Sequence, residues 1–221
     1  MTDLRPISET EPQVFILESL SLEDEEKERF EGRIIRDILR LSGKKPKYYY
    51  FRTEKELVEL VKEYRKSSYR FLHISAHGSL DSLYTTFDKI SYQRFAEIFE
   101  NQLKNRRLFV SACEMGNELF SSIVSGRNKG MYSIVGPAQD IRFDRAAAIW
   151  TAFYILMFDL DSKFMKAEPI TRQIRNLSRL FSEPFHFSRY DAKNDKWKHE
   201  IISGIGRQEG EAKSSIEKAS W

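Results

Sequence analysis

Short apolar runs alternate along the chain with segments whose apolar residues recur at helical spacing. The strand-like runs are residues 14–18, 48–51, 70–75, 108–112 and 131–135, and the helix-like segments are 21–41, 53–64, 91–103, 117–124, 144–160 and 170–181. Alternation of this kind predicts an α/β fold with a mostly parallel sheet and helices on both faces. Residues 185–190 and 196–202 flank a cluster of turn residues, which predicts a C-terminal β-hairpin.

Three local features complete the predicted layout. Residues 21–41 are expected to form one helix that Ser21 caps, with Phe30, Ile34, Ile38 and Leu41 facing inward. Its first turn, residues 23–26, is acidic where the helix dipole favours negative charge, and needs no other role. Residues 79–89 are expected to be a polar loop that frames a site, and Asp144 is expected to cap the long apolar helix.

Composition narrows the class of protein. The 221 residues favour one domain, residues 1–204, followed by a flexible polar tail, residues 205–221. The longest apolar run, residues 146–158, is shorter than the roughly 20 residues that span a membrane. The net charge of +3 is dispersed, which argues against nucleic acid as a direct ligand. The single cysteine and the lack of a visible secretory signal lead us to expect a cytoplasmic protein.

Two of the predicted strands run directly into residues that carry chemistry. His77 and Gly78 follow the strand at 70–75, and Cys113 follows the strand at 108–112. Ligands bind outside the carboxyl ends of parallel strands, and strands joined by one crossover commonly become neighbours. We therefore expect Cys113 and His77 to meet as nucleophile and general base. The backbone N–H groups of Gly78 and Cys113 can then form an oxyanion hole.

The two motifs together resemble a known family. His-Ile-Ser-Ala-His-Gly and Leu-Phe-Val-Ser-Ala-Cys-Glu-Met-Gly, with 36 positions from His77 to Cys113, resemble the caspase-like (clan CD) cysteine peptidases and, more narrowly, their bacterial CHAT branch. Residues 135–140 and the Ala-rich segment 146–154 are similar to the strand, loop and helix that follow the cysteine there. The resemblance implies a three-layer αβα sandwich and peptide hydrolysis through a thioester acyl-enzyme. It implies no cofactor, and we expect no metal site.

Substrate preference does not transfer with the resemblance. Many relatives carry a glutamine or an aspartate two residues before the cysteine, where it shapes the pocket for the P1 side chain, but this chain has Ser111. Ser111, Glu114 and Asp140 are candidate substrate-binding residues, and Asp140 is a candidate for selecting a basic P1 residue. His73 lies four residues before His77 and on the same face of the strand, and it is expected to be a hydrogen-bonded core histidine rather than the base.

Three functions stay open on the sequence alone. The first is a cysteine endopeptidase that cleaves a protein substrate, with a regulatory or activating protein partner and no contact with membrane, possible settings being bacterial defence or cell death. The second is a catalytically silent caspase-like module that binds a partner protein. The third is a cysteine-dependent hydrolase or transferase of another kind on a similar sheet.

Overall fold

The computed structural model describes residues 10–161, 163 and 165–203. The predicted tail, residues 205–221, lies outside the described residues. In chain order the elements are β1 (Glu11–Glu18), α1 (Leu22–Glu26), α2 (Glu31–Leu41), β2 (Lys47–Tyr50), α3 (Glu54–Ser67), β3 (Tyr69–Ser75), β4 (His77–Gly78), β5 (Ser82–Tyr84), β6 (Lys89–Ser91), α4 (Tyr92–Ile98), β7 (Arg107–Ser111), α5 (Glu118–Gly126), β8 (Ser133–Pro137), α6 (Phe143–Leu160), α7 (Ala167–Phe181), β9 (Phe185–Asp191) and β10 (Lys196–Ile202).

The main sheet has seven strands in the order β10-β9-β8-β7-β3-β1-β2. Neighbouring strands from β2 across to β8 pair in parallel, whereas β9 and β10 form the predicted antiparallel hairpin beside β8. Every residue of β3, β7 and β8 is buried, as expected for strands covered on both faces. The predicted mostly parallel sheet is confirmed.

Two apolar cores separate the sheet from its helices. Because side chains alternate along a strand, Leu108 and Val110 of β7 face one core and Phe109 faces the other. The first core takes in Leu57 of α3, Phe95 of α4 and Phe120 of α5. The second core contains Ile35 of α2, Trp150 of α6 and Ile174 of α7. The layers are therefore helix, sheet and helix, which confirms the predicted αβα sandwich.

The predicted helix at residues 21–41 is wrong, since the chain forms two helices there. Glu28 adopts a left-handed backbone conformation, with φ of 54°, and this ends α1 before α2 begins at Glu31. The inward face of α2 was also predicted wrongly. Leu41 is 84% exposed and Ile34 is half exposed, whereas the buried residues are Glu31, Gly32, Ile35 and Leu39.

Two further predictions are wrong. Residues 79–89 are not simply a loop, because Ser82–Tyr84 and Lys89 belong to a small antiparallel sheet in the order β4-β5-β6. Asp144 does not cap α6. Arg142 occupies the N-cap position, and the Asp144 carboxylate lies inside the first turn, where it accepts hydrogen bonds from the Arg142 guanidinium. Across the described part of the chain, no helix is long and apolar enough to cross a membrane.

Candidate active site

The strand ends that carry His77 and Cys113 are neighbours. β3 and β7 pair in parallel, and their last paired residues are Ser75 and Ser111. The Ala76 N–H then donates to the Ser111 carbonyl at 3.1 Å. His77 and Cys113 each follow the last pair by two residues, so they occupy matching positions just past the carboxyl edge of the sheet. The expected meeting of these two strand ends is confirmed.

Gly78 packs tightly against the segment that contains Cys113. A Cβ atom at position 78 would lie 2.6 Å from the Cys113 carbonyl oxygen, 2.8 Å from Met115 Cγ and 3.0 Å from Ala112 Cβ. All three atoms belong to residues 112–115, and the carbonyl oxygen cannot move aside without shifting the backbone. A glycine at position 78 is therefore what lets the two motifs approach each other.

The small sheet orients the Gly78 amide. Ser79 N–H donates to the Ser82 carbonyl at 2.9 Å, and β4 pairs His77 with Tyr84 and Gly78 with Leu83. Hydrogen-bonded and non-hydrogen-bonded pairs alternate along an antiparallel ladder, so the Gly78–Leu83 pair is of the second kind. The Gly78 N–H consequently points away from β5, as a donor in an oxyanion hole must.

His77 has an acidic partner that the sequence analysis missed. Its Nε2 atom lies 2.6 Å from Asp24 Oδ2, and its ring packs edge-on against Phe143 with 5.4 Å between ring centroids. An ionised carboxylate only accepts hydrogen bonds, so Nε2 carries the proton and Nδ1 is the ring atom left to accept one. The His77 side chain is 38% exposed, so substrate can reach it.

Asp24 is itself held by other residues of its segment. Ser21 Oγ donates to Asp24 Oδ2 at 2.6 Å, and Arg29 Nη1 donates to Oδ1 at 2.8 Å. Burial raises the pKa of the Asp24 carboxyl, but the hydrogen bonds from Ser21, His77 and Arg29 outweigh burial, and the pKa is lowered overall. Asp24 is therefore an ionised carboxylate at neutral pH, fixed in position to orient the His77 ring.

The position of Asp24 along the chain gave a reason to expect it near His77, but the helix dipole alone offered a sufficient explanation for its acidic segment. Residues 23–26 were interpreted only as the acidic first turn of a long helix. They follow β1, however, and β1 pairs with β3, the strand that leads to His77. An acidic residue just after a strand adjacent to the histidine strand is well placed to reach its imidazole.

Cys113 is half buried beside the loop that joins β8 to α6. Its sulfur lies 3.8 Å from the Ile141 carbonyl oxygen, to which the thiol donates. Burial raises the pKa of the Cys113 thiol, and the nearby Asp140 and Glu114 carboxylates add to the rise. The thiol is therefore protonated at neutral pH, so a base must remove its proton before it can act as a nucleophile.

Two of the three candidate substrate-binding residues lie close to the thiol. Asp140 contacts Cys113 from the β8–α6 loop, and Glu114 follows Cys113 with its backbone in the left-handed region, φ 57°. The Glu114 N–H donates to the Gln139 carbonyl at 3.4 Å, which joins the cysteine turn to that loop. The site thus has two carboxylates next to its sulfur.

The third candidate, Ser111, points into the protein. It is buried, and its Oγ donates to Glu31 Oε2 at 2.9 Å. Glu31 belongs to a group that we call the buried polar cluster, which lies beneath the carboxyl edge of the sheet. The cluster consists of Glu18, Glu31, Tyr48, His73, Ser75, Ser111 and Tyr154.

His73 belongs to this cluster and not to the exposed edge. It is fully buried, its Nδ1 atom lies 3.0 Å from the Tyr154 hydroxyl, and its Nε2 atom lies 3.6 Å from Glu31 Oε1. Its ring also packs edge-on against Trp150. The prediction of a hydrogen-bonded core histidine is confirmed. Among the residues that the structure describes, no group of three or more His, Cys, Asp or Glu side chains is arranged to hold a metal ion.

Comparisons with known proteins agree with the fold. No protein-family model and no curated protein sequence matches the chain. Among solved structures, the Arg-specific cysteine proteinase gingipain R superposes with a TM-score of 0.51 and 14% identity, covering 76% of this chain and 41% of the gingipain chain. A secreted C11 cysteine protease of Bacteroides thetaiotaomicron, iotapain, gives a TM-score of 0.49 and 11% identity, with coverage of 81% and 66%.

The likeness to gingipain R concerns the fold. The chain spans less than half of the length of that proteinase, and the identity is low. Together with the seven-stranded, mostly parallel sheet and its two helical layers, the superposition gives this chain a caspase-like α/β fold of the kind found in clan CD cysteine proteases.

Proposed function

We propose that this chain is a cysteine endopeptidase in which Cys113 is the nucleophile, His77 the general base and acid, and Asp24 the residue that orients His77. The observation that carries the proposal is the 2.6 Å contact between Asp24 Oδ2 and His77 Nε2 on the strand end next to that of Cys113. A nucleophile beside a base that is itself oriented by a carboxylate is the general arrangement for acyl transfer.

The proposed reaction has two halves, which are formation of a thioester acyl-enzyme and its hydrolysis. His77 Nδ1 takes the proton of the Cys113 thiol while the sulfur attacks the substrate carbonyl carbon. The N–H groups of Gly78 and Cys113 bind the resulting oxyanion. Collapse of the intermediate breaks the C–N bond, and His77 gives its proton to the leaving amine. Water, activated by the same imidazole, then hydrolyses the thioester and releases the acid product and the free thiol.

The raised pKa of Cys113 makes the Asp24–His77 pair necessary to this scheme. A protonated thiol is a poor nucleophile, so its proton must pass to the imidazole as the sulfur attacks. The ionised Asp24 carboxylate, at 2.6 Å from Nε2, stabilises the imidazolium that forms.

The direct test is incubation of the purified chain with a proteome-derived peptide library, followed by identification of new termini by mass spectrometry. Wild type is expected to produce cleavages that the Cys113→Ala variant does not. A matched labelling experiment uses an electrophilic acyloxymethyl ketone probe, since Cys113 is the only cysteine. If wild type neither cleaves nor labels, alone or together with proteins from neighbouring genes, under conditions in which iodoacetamide alkylates Cys113, the endopeptidase proposal is wrong.

The second candidate function is a catalytically silent module that binds a protein partner. The observation that favours it is the same protonated thiol, which donates to the Ile141 carbonyl. In that case wild type and Cys113→Ala bind the partner equally well and the library stays uncut. Cleavage that depends on Cys113 excludes this candidate.

For the substrate, we propose a protein with a basic P1 residue. Asp140 contacts the sulfur and the Glu114 carboxylate adds negative charge nearby, and this favours Lys or Arg over Asp or Glu as the P1 side chain. Paired fluorogenic peptides that differ only at P1 test the preference. Equal rates with Arg, Leu and Asp at P1 would contradict it.

We further propose that a protein partner activates the enzyme, because the thiol rests in its protonated form against Ile141. The proposed setting is a bacterial defence or cell-death system, to which the likeness of the two motifs to the CHAT branch points. Co-expression with proteins from neighbouring genes, wild type against Cys113→Ala, tests both ideas. Cleavage of no neighbour and no gain of thiol reactivity with any of them would contradict them.

A further inference from the structure

One buried carboxylate joins the two strands that carry the proposed nucleophile and base. Glu31, the first residue of α2, is 3% exposed, and its Oε2 atom accepts hydrogen bonds from Ser75 Oγ at 3.0 Å and Ser111 Oγ at 2.9 Å. Ser75 ends β3 and Ser111 ends β7. Each serine lies two residues before His77 or Cys113, so this single oxygen connects the two strands at their last paired position.

The location of this link gives it a purpose beyond packing. Beyond Ser75 and Ser111 the two segments no longer pair as strands, because one continues into β4 of the small sheet and the other turns at Cys113, with Gly78 packed against that turn. The Ala76 N–H to Ser111 carbonyl bond is the last backbone rung between them. A carboxylate oxygen shared by both hydroxyls therefore restrains the strands where the distance between His77 and Cys113 is set.

Burying the Glu31 carboxylate at this position costs free energy, so its presence indicates a role other than filling space. The core that adjoins α2 and the sheet is mostly apolar, with side chains such as Phe71, Phe109 and Trp150, and the buried polar cluster interrupts it. Burying a carboxyl group there is expensive, and an apolar residue of similar size would fill the space. The second oxygen, Oε1, lies 3.6 Å from His73 Nε2 but has no hydrogen-bond partner among the described residues, so the two serines are the hydrogen-bond donors that hold the Glu31 side chain.

We propose that Glu31 is a positioning residue which, through Ser75 and Ser111, holds the strand ends at the spacing that proton transfer between Cys113 and His77 requires. The inference rests on the proposed function and extends it to a residue that touches no substrate. A displacement of about 1 Å at a catalytic group costs roughly 10²-fold in rate, so a restraint of this kind has a measurable effect.

The same cluster supplies a matched control. Glu18 is as buried as Glu31, but its Oε1 atom accepts from the Gly32 N–H at 2.6 Å and its Oε2 atom from the Tyr48 hydroxyl at 2.7 Å. Its contact with Ser75, at 3.5 Å, is long, and no hydrogen bond joins it to Ser111, whose hydroxyl donates to Glu31 instead, among the residues that the structure describes. Glu18 thus fixes the start of α2 without joining β3 to β7.

The test compares five variants of the full chain with wild type: Glu31→Gln, Glu31→Leu, the double variant Ser75→Ala and Ser111→Ala, Glu18→Gln, and His77→Ala. Three quantities are measured well below each melting temperature. They are kcat and KM on a peptide that wild type cleaves, the pH profile of Cys113 alkylation by iodoacetamide, and the melting temperature itself. The alkylation profile needs no substrate, and the single cysteine makes it unambiguous.

The expected pattern separates positioning from plain stability. Glu31→Gln keeps one acceptor oxygen for the two serines, so kcat stays within about threefold of wild type. Glu31→Leu and the double serine variant lower kcat by about tenfold or more with little change in KM, and their alkylation profiles move toward that of His77→Ala. Glu18→Gln leaves both readouts near those of wild type. The double serine variant removes the same contact with a smaller change of shape, should Glu31→Leu fail to fold.

Two contrary results have different meanings. If Glu31→Leu and the double serine variant lower the melting temperature but keep the kcat and alkylation profile of wild type, Glu31 is structural and the inference is wrong. If wild type cleaves no peptide, either alone or with proteins from neighbouring genes, the proposed function is wrong, and the alkylation profiles still decide whether Glu31 holds Cys113 beside His77. Unchanged profiles in the two link-breaking variants would then overturn the inference as well.

Discussion

Two carboxylate–histidine pairs lie along one strand and its continuation, and they differ in access to water. Asp24 contacts His77 at 2.6 Å at the edge of the sheet, where the His77 side chain is 38% exposed. Glu31 approaches His73 at 3.6 Å in the core, where both side chains are almost completely buried. The exposed pair can exchange protons with a substrate, whereas the buried pair can only hold structure. Position relative to solvent, not residue type, divides the two roles.

The same segment supplies both acids. α1 brings Asp24 over the edge and α2 brings Glu31 beneath it, and the left-handed residue Glu28 separates the two helices. A single straight helix over residues 21–41 would place Asp24 and Glu31, seven residues apart, on the same face about 10 Å from each other along one line. The break allows the two acids to approach two histidines on different sides of the sheet edge.

The largest expected effect separates the two histidines directly. His77→Ala removes the proposed base, and we expect kcat to fall by about 10³-fold, or roughly 4 kcal/mol in activation free energy, with little change in melting temperature. His73→Phe removes a core imidazole and is expected to change melting temperature more than kcat. Peptide-cleavage kinetics and thermal unfolding of both variants check this. Equal losses of kcat in the two variants would break the distinction between the pairs.

The next effect is the pH dependence of the unfolding free energy that the buried Glu18 carboxyl causes. Burial raises the pKa of Glu18 to about 7 from its ordinary value of 4.5. The folded state therefore binds a proton more tightly than the unfolded state, and stability falls as pH rises from about 4.5 to 7. The loss from Glu18 alone is about 3 kcal/mol, and it is complete above pH 7.

Glu18→Gln removes this titration and keeps one acceptor oxygen, which can serve the Gly32 N–H while the amide NH2 donates to the Tyr48 hydroxyl oxygen. We expect the variant to gain on wild type in unfolding free energy between pH 5 and pH 8, as measured by urea unfolding at both values. A difference between the two proteins that is the same at pH 5 and pH 8 would show that Glu18 does not titrate in this range.

A third prediction addresses the exposed pair. Asp24→Asn keeps the size of the side chain but removes the charge that orients His77 and stabilises its protonated form. We expect kcat to fall by roughly 10²-fold, or about 2.7 kcal/mol in activation free energy. Glu26→Gln, an exposed acid in the same helix, is the matched control and should change kcat less than twofold. Similar effects of both changes would mean that Asp24 acts only through net charge.

The smallest predicted effect lies at the sulfur. Asp140 contributes to the raised pKa of Cys113, so Asp140→Asn is expected to lower that pKa and to speed iodoacetamide alkylation at pH 7 by about two- to threefold. Asp144→Asn is the control, because the Asp144 carboxylate is paired with Arg142. A rate below that of wild type would reverse the assigned sign of the Asp140 contribution.

Much of this fold was predictable because its main strands are buried along their whole length and therefore appear in the sequence as apolar runs. The strands β3, β7 and β8 are buried throughout, and uninterrupted apolar runs correspond to such strands. The adjacency of the strand ends that carry His77 and Cys113 followed from parallel pairing of neighbouring strands. The helix predicted from residue 53 is α3, which begins with a capping box formed by Thr53 and Glu56.

The predictions failed where charged residues are buried. A periodicity argument assigns apolar positions to the inside, so it turned Ile34 and Leu41 inward, whereas α2 exposes both and buries Glu31. Asp24 was overlooked for the same reason, because an acidic first turn has a sufficient local explanation. Both errors concern carboxylates whose partners lie more than 40 residues away in sequence, on β3 or just beyond it. Local patterns carry no information about such partners.

The short connection of residues 27–30 has a consequence for how this chain can vary. Connecting segments usually tolerate insertions and deletions better than substitutions at buried positions. Here, a residue added or removed would change the distance and direction from α1 to α2, and we expect this to carry Asp24 or Glu31 away from its histidine. We expect the number of residues between the two acids to be inherited more strictly than their identity. In homologous chains, a change of length at this point would mark the loss of the site more reliably than any single substitution around it.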